Sequence, residues 1–262
     1  MVQWLLLMML PSQPLPHKRR SYYFQPIIDN RNNSVAFYEM LTRIDGNGSI
    51  EKYLNSLEDE RVQALHDLLG IKAAITFLDL YGLNFSMSVN LSPITIAEYG
   101  KTHLYPMLRT CKHPNKIIIE FTERYFKENF KAIAEFTIFA RKHGIKVAID
   151  DWSASPLEAT YENILEIYPD FIKIDIDVAM EGGAYFDVVM ALAKSYNIHV
   201  VVERVESHVQ MELASTVGAN FIQGWLYSPA LPLAAVVYGN PKEYVAGQKK
   251  YPAHPKMAGY SF

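Results

Sequence analysis

The segment Ile117–Asp151 decides the fold, and it reads IIIEFTERYFKENFKAIAEFTIFARKHGIKVAIDD. It opens with the apolar run IIIEF and closes with a second run, KVAID, and both have the length and composition of buried strands. Between them, NFKAIAEFTIFARK has apolar residues at helical spacing, and Gly144 follows as a stop signal. This order predicts a parallel strand pair joined by a crossover helix. Each run has an acid at or next to its end, Glu120 in the first and Asp150 in the second.

The same pattern extends over most of the chain. The other predicted strands are YYFQPII (from Tyr22), SVAFYEML (from Ser34), FSMSVNLS (from Phe85), FIKID (from Phe171), HVVVERV (from His199) and FIQGWLY (from Phe221). Only DNRNN joins the first two, and this link is too short for a helix, so these strands are expected to pair antiparallel. We therefore predict an α/β fold, a modified (β/α)8 TIM-like barrel with one antiparallel strand.

Length and composition restrict the class of protein. The chain has 262 residues, and a single α/β barrel of about 250 residues is common. A formal net charge of −3 gives no electrostatic reason to expect a nucleic acid polymer as a partner. Cys111 is the one cysteine, so an internal disulfide and a Cys-rich zinc site are both excluded. This usage is typical of a reducing compartment, and we expect a cytoplasmic protein.

The two ends of the chain fall outside the alternating pattern. Residues 1–20 begin with MVQWLLLMML, which is much shorter than the roughly 20 apolar residues that span a bilayer. Its basic residues follow the apolar run, whereas in a secretory signal they precede it. We predict an appendage over residues 1–20, packed as a short helix or in peripheral contact with a membrane. The barrel domain is predicted for residues 21–238, and a loosely ordered tail for residues 239–262.

Most of the predicted strands end on a polar residue: Glu39, Asn90, Glu120, Asp150 followed by Asp151, Lys173, Glu203 and Gln223. Any one of these is also explained as a solvated rim residue. In a parallel barrel, however, the carboxyl ends of the strands meet on one face, so the whole set is expected to converge. Clustered carboxylates repel one another unless protons or cations neutralise them.

The donor set favours a particular class of cation. Carboxylate oxygens with one amide, and neither histidine nor thiolate, are typical ligands of Mg²⁺ or Mn²⁺. Two such ions sharing a carboxylate are the usual arrangement for phosphodiester hydrolysis. Asp150 and Asp151 both reach one site only if the chain leaves strand geometry there, since neighbouring strand residues point to opposite faces. Lys173 is either a structural ion-pair partner of the acids or a group that orients the attacking water.

Taken together and in this order, these motifs resemble the EAL domain, a bacterial module that hydrolyses cyclic di-GMP to linear pGpG. The resemblance runs from about Tyr22 to Leu233, with YEMLTR in place of the signature Glu-Ala-Leu-Leu-Arg. The other matching motifs are YYFQPI, SVNLSP, IIIEFTE, VAIDDWSAS, FIKID, VVVERVES and FIQGWLYSPALP. The family fold, a barrel with one antiparallel strand, agrees with the short DNRNN link.

The resemblance implies a role for each matching residue. The implied ligands of a first Mg²⁺ or Mn²⁺ ion are Glu39, Asn90, Glu120 and Asp150. Those of a second ion are Asp150, Asp151 and Glu203. Lys173 resembles the lysine that positions the attacking water, and Glu39 and Glu203 count as catalytic with it. Substrate contacts are implied for Gln25, Arg43 and Gln223. Glu123 and Glu206 match residues that anchor the loop after the paired aspartates, and a homodimer is expected by the same resemblance.

The sequence departs from the family pattern at several positions. Met40 replaces the signature alanine, and FIQGWLYSPALP lacks the usual basic residue before its first proline. Trp152–Ser155, WSAS, stands where the family has Phe-Gly-Thr-Gly, and a serine forced to positive φ costs about 1 kcal/mol or more. In the family this loop links the metal site to the dimer interface. Arg204 replaces a glycine and adds a long cation beside Glu203.

Three hypotheses follow. The first is an active phosphodiesterase that converts cyclic di-GMP to pGpG with Mg²⁺ or Mn²⁺, and the retained ligand set favours it. The second is a catalytically impaired module that acts as a cyclic di-GMP receptor or a protein-interaction regulator, which the altered loop favours. The third is a barrel enzyme for another phosphoester.

Overall fold

The computed structural model describes residues 20–44, 60–121, 126–152 and 161–238, and within these ranges it contains nine β-strands. They are β1 (Arg20–Asp29), β2 (Ser34–Ile44), β3 (Met87–Leu91), β4 (Ile117–Phe121), β5 (Lys146–Ile149), β6 (Phe171–Asp175), β7 (His199–Glu203), β8 (Phe221–Ile222) and β9 (Leu231–Pro232). β1 begins one residue ahead of the predicted domain boundary. The rest of the predicted appendage, residues 1–19, and the predicted tail lie outside the described residues.

Helices follow most of the strands. They are α1 (Glu60–Tyr81), α2 (Pro93–Tyr99), α3 (Tyr105–Arg109), α4 (Phe130–Lys142), α5 (Tyr161–Ile167), α6 (Ile176–Glu181), α7 (Ala184–Tyr196), α8 (His208–Thr216) and α9 (Leu233–Tyr238). A π-helical turn at Gly100–Leu104 joins α2 to α3, and a 3-10 turn at Pro114–Lys116 precedes β4. Within the described ranges, no helix is long and apolar enough to cross a bilayer.

The strands form one closed sheet in the order β2-β3-β4-β5-β6-β7-β8-β1, with β1 also paired to β2. β2 to β8 run parallel, whereas β1 is antiparallel to β2 and to β8. The sheet therefore confirms the predicted α/β barrel and its antiparallel strand. The physical reason is the turn between β1 and β2, where Asn33 takes a left-handed conformation that reverses the chain.

All eight predicted strands are present, and the largest difference is at the last of them. β8 has two residues, although FIQGWLY predicts a longer strand. Beyond it the chain wraps closely around Val205, which accepts a hydrogen bond from Leu226 N at 3.0 Å. A Cβ on Gly224 would lie 2.0 Å from the carbonyl oxygen of Val205, so this close approach requires glycine. β9, which pairs with β1, was not predicted.

α4 shows how the sequence forms a crossover helix. Its buried residues, Ile133, Phe136, Thr137 and Ala140, recur at three- and four-residue spacing and face the barrel. The helix ends before Gly144, whose φ of 75° is the left-handed conformation expected at a helix end. The predicted stop signal therefore lies where the helix ends.

The barrel interior contains two layers of side chains. The apolar layer consists of Ile27, Phe37, Ile118, Ala148, Phe171 and Val201, with Phe221 packed against them. The polar layer consists of Gln25, Glu39, Asn90, Glu120, Asp150, Lys173, Glu203 and Gln223. Almost every polar member lies two positions from an apolar member, on the same strand or directly past its end, because side chains at that spacing share a face. Asn90 is the exception, since its neighbour in the lower layer is the buried Ser88.

Candidate active site

Lys173 occupies the centre of the polar layer. Its side chain is only 2% exposed, and its Nζ lies 2.7 Å from Asp150 Oδ1, 2.8 Å from Glu203 Oε1 and 3.0 Å from Glu120 Oε2. A fourth carboxylate, that of Glu39, is 3.8 Å away. The ammonium of Lys173 on β6 is thus surrounded by four acids, which come from β2, β4, β7 and the residue after β5. The structure brings together the acids that the strand ends predicted, although it does not test their catalytic roles.

Two amides flank the carboxylate of Glu39. Asn90 Nδ2 donates to Glu39 Oε1 at 3.1 Å, and Gln223 Nε2 donates to Glu39 Oε2 at 2.6 Å. The side-chain oxygens of both amides are buried, and neither accepts a hydrogen bond from the part of the chain that the structure describes. A buried acceptor without a donor is costly. These two oxygens are therefore suited to a cation, a water or a substrate donor.

Burial makes three acids of the polar layer unusually weak. It raises the pKa of Glu120 to about 8, against the attraction of Lys173, and that of Asp150 to about 6. Burial also raises the pKa of Glu203 well above its usual value. For Lys173, burial lowers the pKa, but the surrounding carboxylates together hold it well above the usual value. The lysine thus stays protonated, while Glu120, Asp150 and Glu203 need further positive charge or protons.

The paired aspartates meet the geometric condition that the sequence imposed. The N–H of Asp150 still donates to Phe121 O on the neighbouring strand, at 3.0 Å. The next residue, Asp151, has a φ of 47°, which is outside strand geometry. Because the chain leaves strand geometry, ligand atoms of Asp150, Asp151 and Glu203 all lie within 4.8 Å of one another. Trp152 next donates its N–H to Lys173 O at 3.0 Å, and its ring stacks on Tyr185. The start of the altered loop is therefore fixed, and residues 153–160 lie outside the described residues.

A buried carboxylate outside the barrel holds the segment that follows Asn90. Asp67 on α1 accepts hydrogen bonds from Ser92 N at 2.9 Å and from Thr95 Oγ1 at 2.6 Å, at the start of α2. Gln63 Nε2 donates to its other oxygen at 2.9 Å. Burial raises the pKa of Asp67 to about 6. Asp67 thereby fixes the end of β3 from the side of α1. No local sequence pattern predicts this contact, because α1 is distant along the chain.

The rim of the site contains an acid that the prediction overlooked. Asp175 ends β6 two positions after Lys173, shares its strand face and is the register partner of Glu203 on β7. The motif FIKID contains the signal for this residue, since its last residue is an acid at the end of a predicted strand. Arg204, directly after Glu203, pairs with Asp175, and its Nη2 lies 3.2 Å from Asp177 Oδ2.

The predicted substrate and anchoring residues have different positions. Gln25 is the register partner of Glu39, and its Nε2 donates to Ser228 O at 3.3 Å. Arg43 lies on β2, on the same face as Glu39 but nearer the strand end. Glu206 is exposed, and its N–H donates to Gln210 Oε1 at 2.8 Å. Glu123 lies outside the described residues. Their roles remain predictions.

The residues present fit a hard divalent cation. The inward groups offer carboxylate and amide oxygens, with neither histidine nor cysteine among them, and such donors suit hard cations such as Mg²⁺, Ca²⁺ or Mn²⁺ better than zinc. The amide oxygen of Asn90 is available, and Asp150, Asp151 and Glu203 converge. The raised pKa values of Glu120 and Asp150 also fit a cation site, because a bound cation can replace the protons that keep these groups neutral.

The sequence resembles known proteins over most of its length. A family model described as EAL domain matches residues 11–230. In Escherichia coli (strain K12), the probable cyclic di-GMP phosphodiesterase PdeA is 29% identical, over 81% of this chain and 30% of its own length. PdeN of the same strain, also named a probable cyclic di-GMP phosphodiesterase, is 27% identical over 87% of this chain and 47% of its own length. The chain thus spans less than half the length of these two relatives.

Solved structures share the fold. BlrP1 of Klebsiella pneumoniae, solved as a manganese/cy-diGMP complex, has a TM-score of 0.69 at 23% identity, covering 84% of this chain and 58% of that one. An EAL domain protein from Listeria monocytogenes EGD-e has a TM-score of 0.67 at 20% identity, covering 83% and 91%. At these identities the likeness extends to the fold alone.

Proposed function

The chain belongs to the EAL domain family, and from that premise we propose that it is a metal-dependent phosphodiesterase that hydrolyses cyclic di-GMP to linear pGpG. One observation supports this most directly. Lys173 lies within 4.0 Å of carboxylates from Glu39, Glu120, Asp150 and Glu203, so acids from distant parts of the chain share one centre. A cluster without function would be expected to lose such members, because buried and unpaired acids destabilise a fold.

Each side chain has a task in this proposal. Divalent cations, when bound, supply Lewis acidity that activates a water and neutralises phosphate oxygens. Their proposed holders are Glu39, Asn90, Glu120 and Asp150 on one side, and Asp150, Asp151 and Glu203 on the other. Sharing of Asp150 is supported by its contacts. Its Oδ1 lies 2.7 Å from Lys173 Nζ, which also contacts Glu39 and Glu120, and its carboxylate groups with those of Asp151 and Glu203.

Lys173 orients the attacking water in this scheme. Its ammonium keeps its proton, since the surrounding carboxylates hold its pKa well above the usual value. It can therefore donate to the water and stabilise charge that develops on the phosphate, but it does not act as a base. Deprotonation of the water falls to the nearby carboxylates, of which Glu203 and Glu39 contact the same ammonium.

The substrate lies over the open, carboxyl ends of the strands. Gln25 and Arg43 on the paired strands β1 and β2 contact it, and Gln223 does so from the end of β8. Arg43 suits the phosphate that is not cleaved, because a guanidinium offers two parallel donors. The names of the relatives, probable cyclic di-GMP phosphodiesterases, and the manganese/cy-diGMP complex of BlrP1 support this substrate and Mn²⁺. The oxygen donor set suits Mg²⁺ as well. We further propose a cytoplasmic homodimer that lowers the second messenger in bacterial signalling, including biofilm control.

The deciding experiment is a turnover assay. Purified chain with Mn²⁺ is expected to convert cyclic di-GMP to pGpG, resolved by chromatography, and Glu39→Ala is expected to abolish conversion. Phe37→Leu is the matched control, since Phe37 lies two positions earlier on the same strand but in the apolar layer. It is expected to keep activity. Absence of turnover across a range of metals and pH would refute the proposal, and equal rates on bis-nitrophenyl phosphate would indicate a general phosphoesterase.

One observation favours a second function, that of a cyclic di-GMP receptor or protein-interaction regulator. The loop from Trp152 to Ser155 lacks both glycines of the family pattern. Calorimetry separates the alternatives. Nucleotide binding without hydrolysis supports a receptor, whereas neither binding nor hydrolysis supports a protein-interaction role.

A further inference from the structure

Arg204 has a backbone conformation that is unusual for its residue type. It directly follows Glu203, the last residue of β7, and its φ is 58°. The left-handed region favours glycine, because a Cβ there crowds the backbone. A residue with a long side chain keeps such a conformation only when its surroundings hold it in place.

The contacts of its guanidinium supply this restraint. The group pairs with the carboxylate of Asp175, and its Nη2 lies 3.2 Å from Asp177 Oδ2. Asp175 is itself fixed, because it accepts a hydrogen bond from Asp177 N at 2.8 Å as the N-cap of α6. Arg204 therefore ties the segment after β7 to the start of α6, and with 67% of its side chain exposed it lies at the rim.

This bridge borders one side of the candidate metal site. Arg204 directly follows Glu203 in the chain and forms an ion pair with Asp175. Asp175 is the register partner of Glu203 in the β6–β7 pairing. Glu203 in turn groups with Asp150 and Asp151. A fixed positive charge here repels a divalent cation, and it neutralises acids that would otherwise attract one.

We propose that Arg204 is a built-in counter-ion of the rim, which limits how tightly the Asp150–Asp151–Glu203 side binds divalent cations. The inference rests on the proposed function, because it concerns the cations that this function uses. Loss of the guanidinium charge leaves Asp175 and Asp177 uncompensated, so the rim becomes more negative and cation binding tightens.

Calorimetric titration of the full chain with Mn²⁺ alone tests this role without nucleotide. R204Q is expected to tighten the weaker Mn²⁺ binding step about threefold to tenfold at low ionic strength, as a screened charge near the site would. R204K, which keeps the charge, is expected to stay within about twofold of the original chain. The gain in R204Q should fade near roughly 0.5 M salt, a dependence that a purely structural role would not show.

The matched control is Arg31→Gln. Arg31 is also exposed and acid-paired, with its Nη2 2.7 Å from Asp29 Oδ2, but it lies in the β1–β2 turn at the opposite end of the barrel. Its replacement is expected to leave Mn²⁺ affinity unchanged. Should R204Q fail to fold, R204G removes the same charge and suits the left-handed backbone.

Unchanged or weaker Mn²⁺ binding in R204Q overturns the inference, and so does equal tightening in R204K. A hydrolysis assay run on the same preparations keeps the two proposals apart. Hydrolysis of cyclic di-GMP without tightening in R204Q refutes the counter-ion role alone. Tightening without hydrolysis refutes the phosphodiesterase alone.

Discussion

The apolar and polar layers inside the barrel differ completely in chemistry, although the same strands supply both. On β6, the ring of Phe171 lies 5.2 Å from that of Phe37 and 5.9 Å from that of Phe221. Two residues further on, Lys173 contacts four carboxylates instead. The apolar layer closes one end of the barrel by burial, while the polar layer gathers charge that is unfavourable for the fold without compensation.

The difference shows that the residues that stabilise the barrel and the residues of the candidate site are successive inward-facing positions on the same strands. These positions are about 6.6 Å apart, since a strand rises about 3.3 Å per residue. The apolar layer excludes water from beneath the acids and so makes the environment of Lys173 one of low dielectric. Raised pKa values at Glu120, Asp150 and Glu203 are the consequence. Substitutions in the apolar layer should therefore change mainly the free energy of unfolding, and substitutions in the polar layer mainly turnover and Mn²⁺ affinity.

The largest expected effect comes from replacing Lys173 by methionine. This change removes the central charge at nearly constant volume, so turnover of cyclic di-GMP is expected to fall about a thousandfold, within the usual range for loss of such a group. Product formation under saturating Mn²⁺ measures it.

Phe171→Leu on the same strand is the counterpart. It is expected to lower the free energy of unfolding by about 1 kcal/mol, as a near volume-conserving core change does, with Mn²⁺ affinity unaltered. Denaturant unfolding and calorimetry measure the two quantities. A Phe171→Leu protein that folds normally but loses Mn²⁺ binding would contradict the separation of the layers.

The next effect concerns pH. Burial raises the pKa of Glu120 to about 8 and that of Asp150 to about 6, so the metal-free folded chain binds protons that the unfolded chain has lost. Its stability is therefore expected to fall as pH rises from about 4 to 8. Mn²⁺ replaces those protons, so its affinity should rise over the upper part of this window, by up to about tenfold per pH unit for each proton released.

Calorimetry at pH 6, 7 and 8 measures this rise, and repetition in buffers of different ionisation enthalpy counts the protons. Ile118→Val in the apolar layer should keep the same pH dependence. Mn²⁺ affinity that stays constant from pH 6 to 8 would show that the acids are already ionised without metal.

The smallest effect is expected at the loop after the paired aspartates. Replacement of Trp152–Ser155 by Phe-Gly-Thr-Gly should raise turnover up to about fivefold or leave it unchanged, because a serine forced to positive φ would cost about 1 kcal/mol, which corresponds to that factor. Trp152→Phe alone is the control, since it keeps an aromatic ring beside Tyr185. A clear fall in turnover would mean that WSAS supports the site better than the glycines do.

The sequence predicted the barrel and most of the polar layer for one local reason. Alternation makes Phe37 and Glu39, or Ile118 and Glu120, face the same way, and parallel strands bring their ends together whatever lies between them. Asp175 was not predicted, because a single acid at the end of a strand is equally typical of a solvated rim. The hydrogen bonds of Asp67 to Ser92 and Thr95 connect residues 25 and 28 positions apart and leave no local pattern.

The sequence by itself determined which residues face the barrel interior and that carboxylates accumulate at one end, since both follow from strand alternation and strand direction. Only the tertiary structure decided which acids touch Lys173, that Asp151 turns out of strand geometry, and that Arg204 pairs with Asp175 and Asp177. These contacts depend on the register between strands and on closure of the barrel. Both are set by packing over the whole fold, so no short stretch of sequence encodes them.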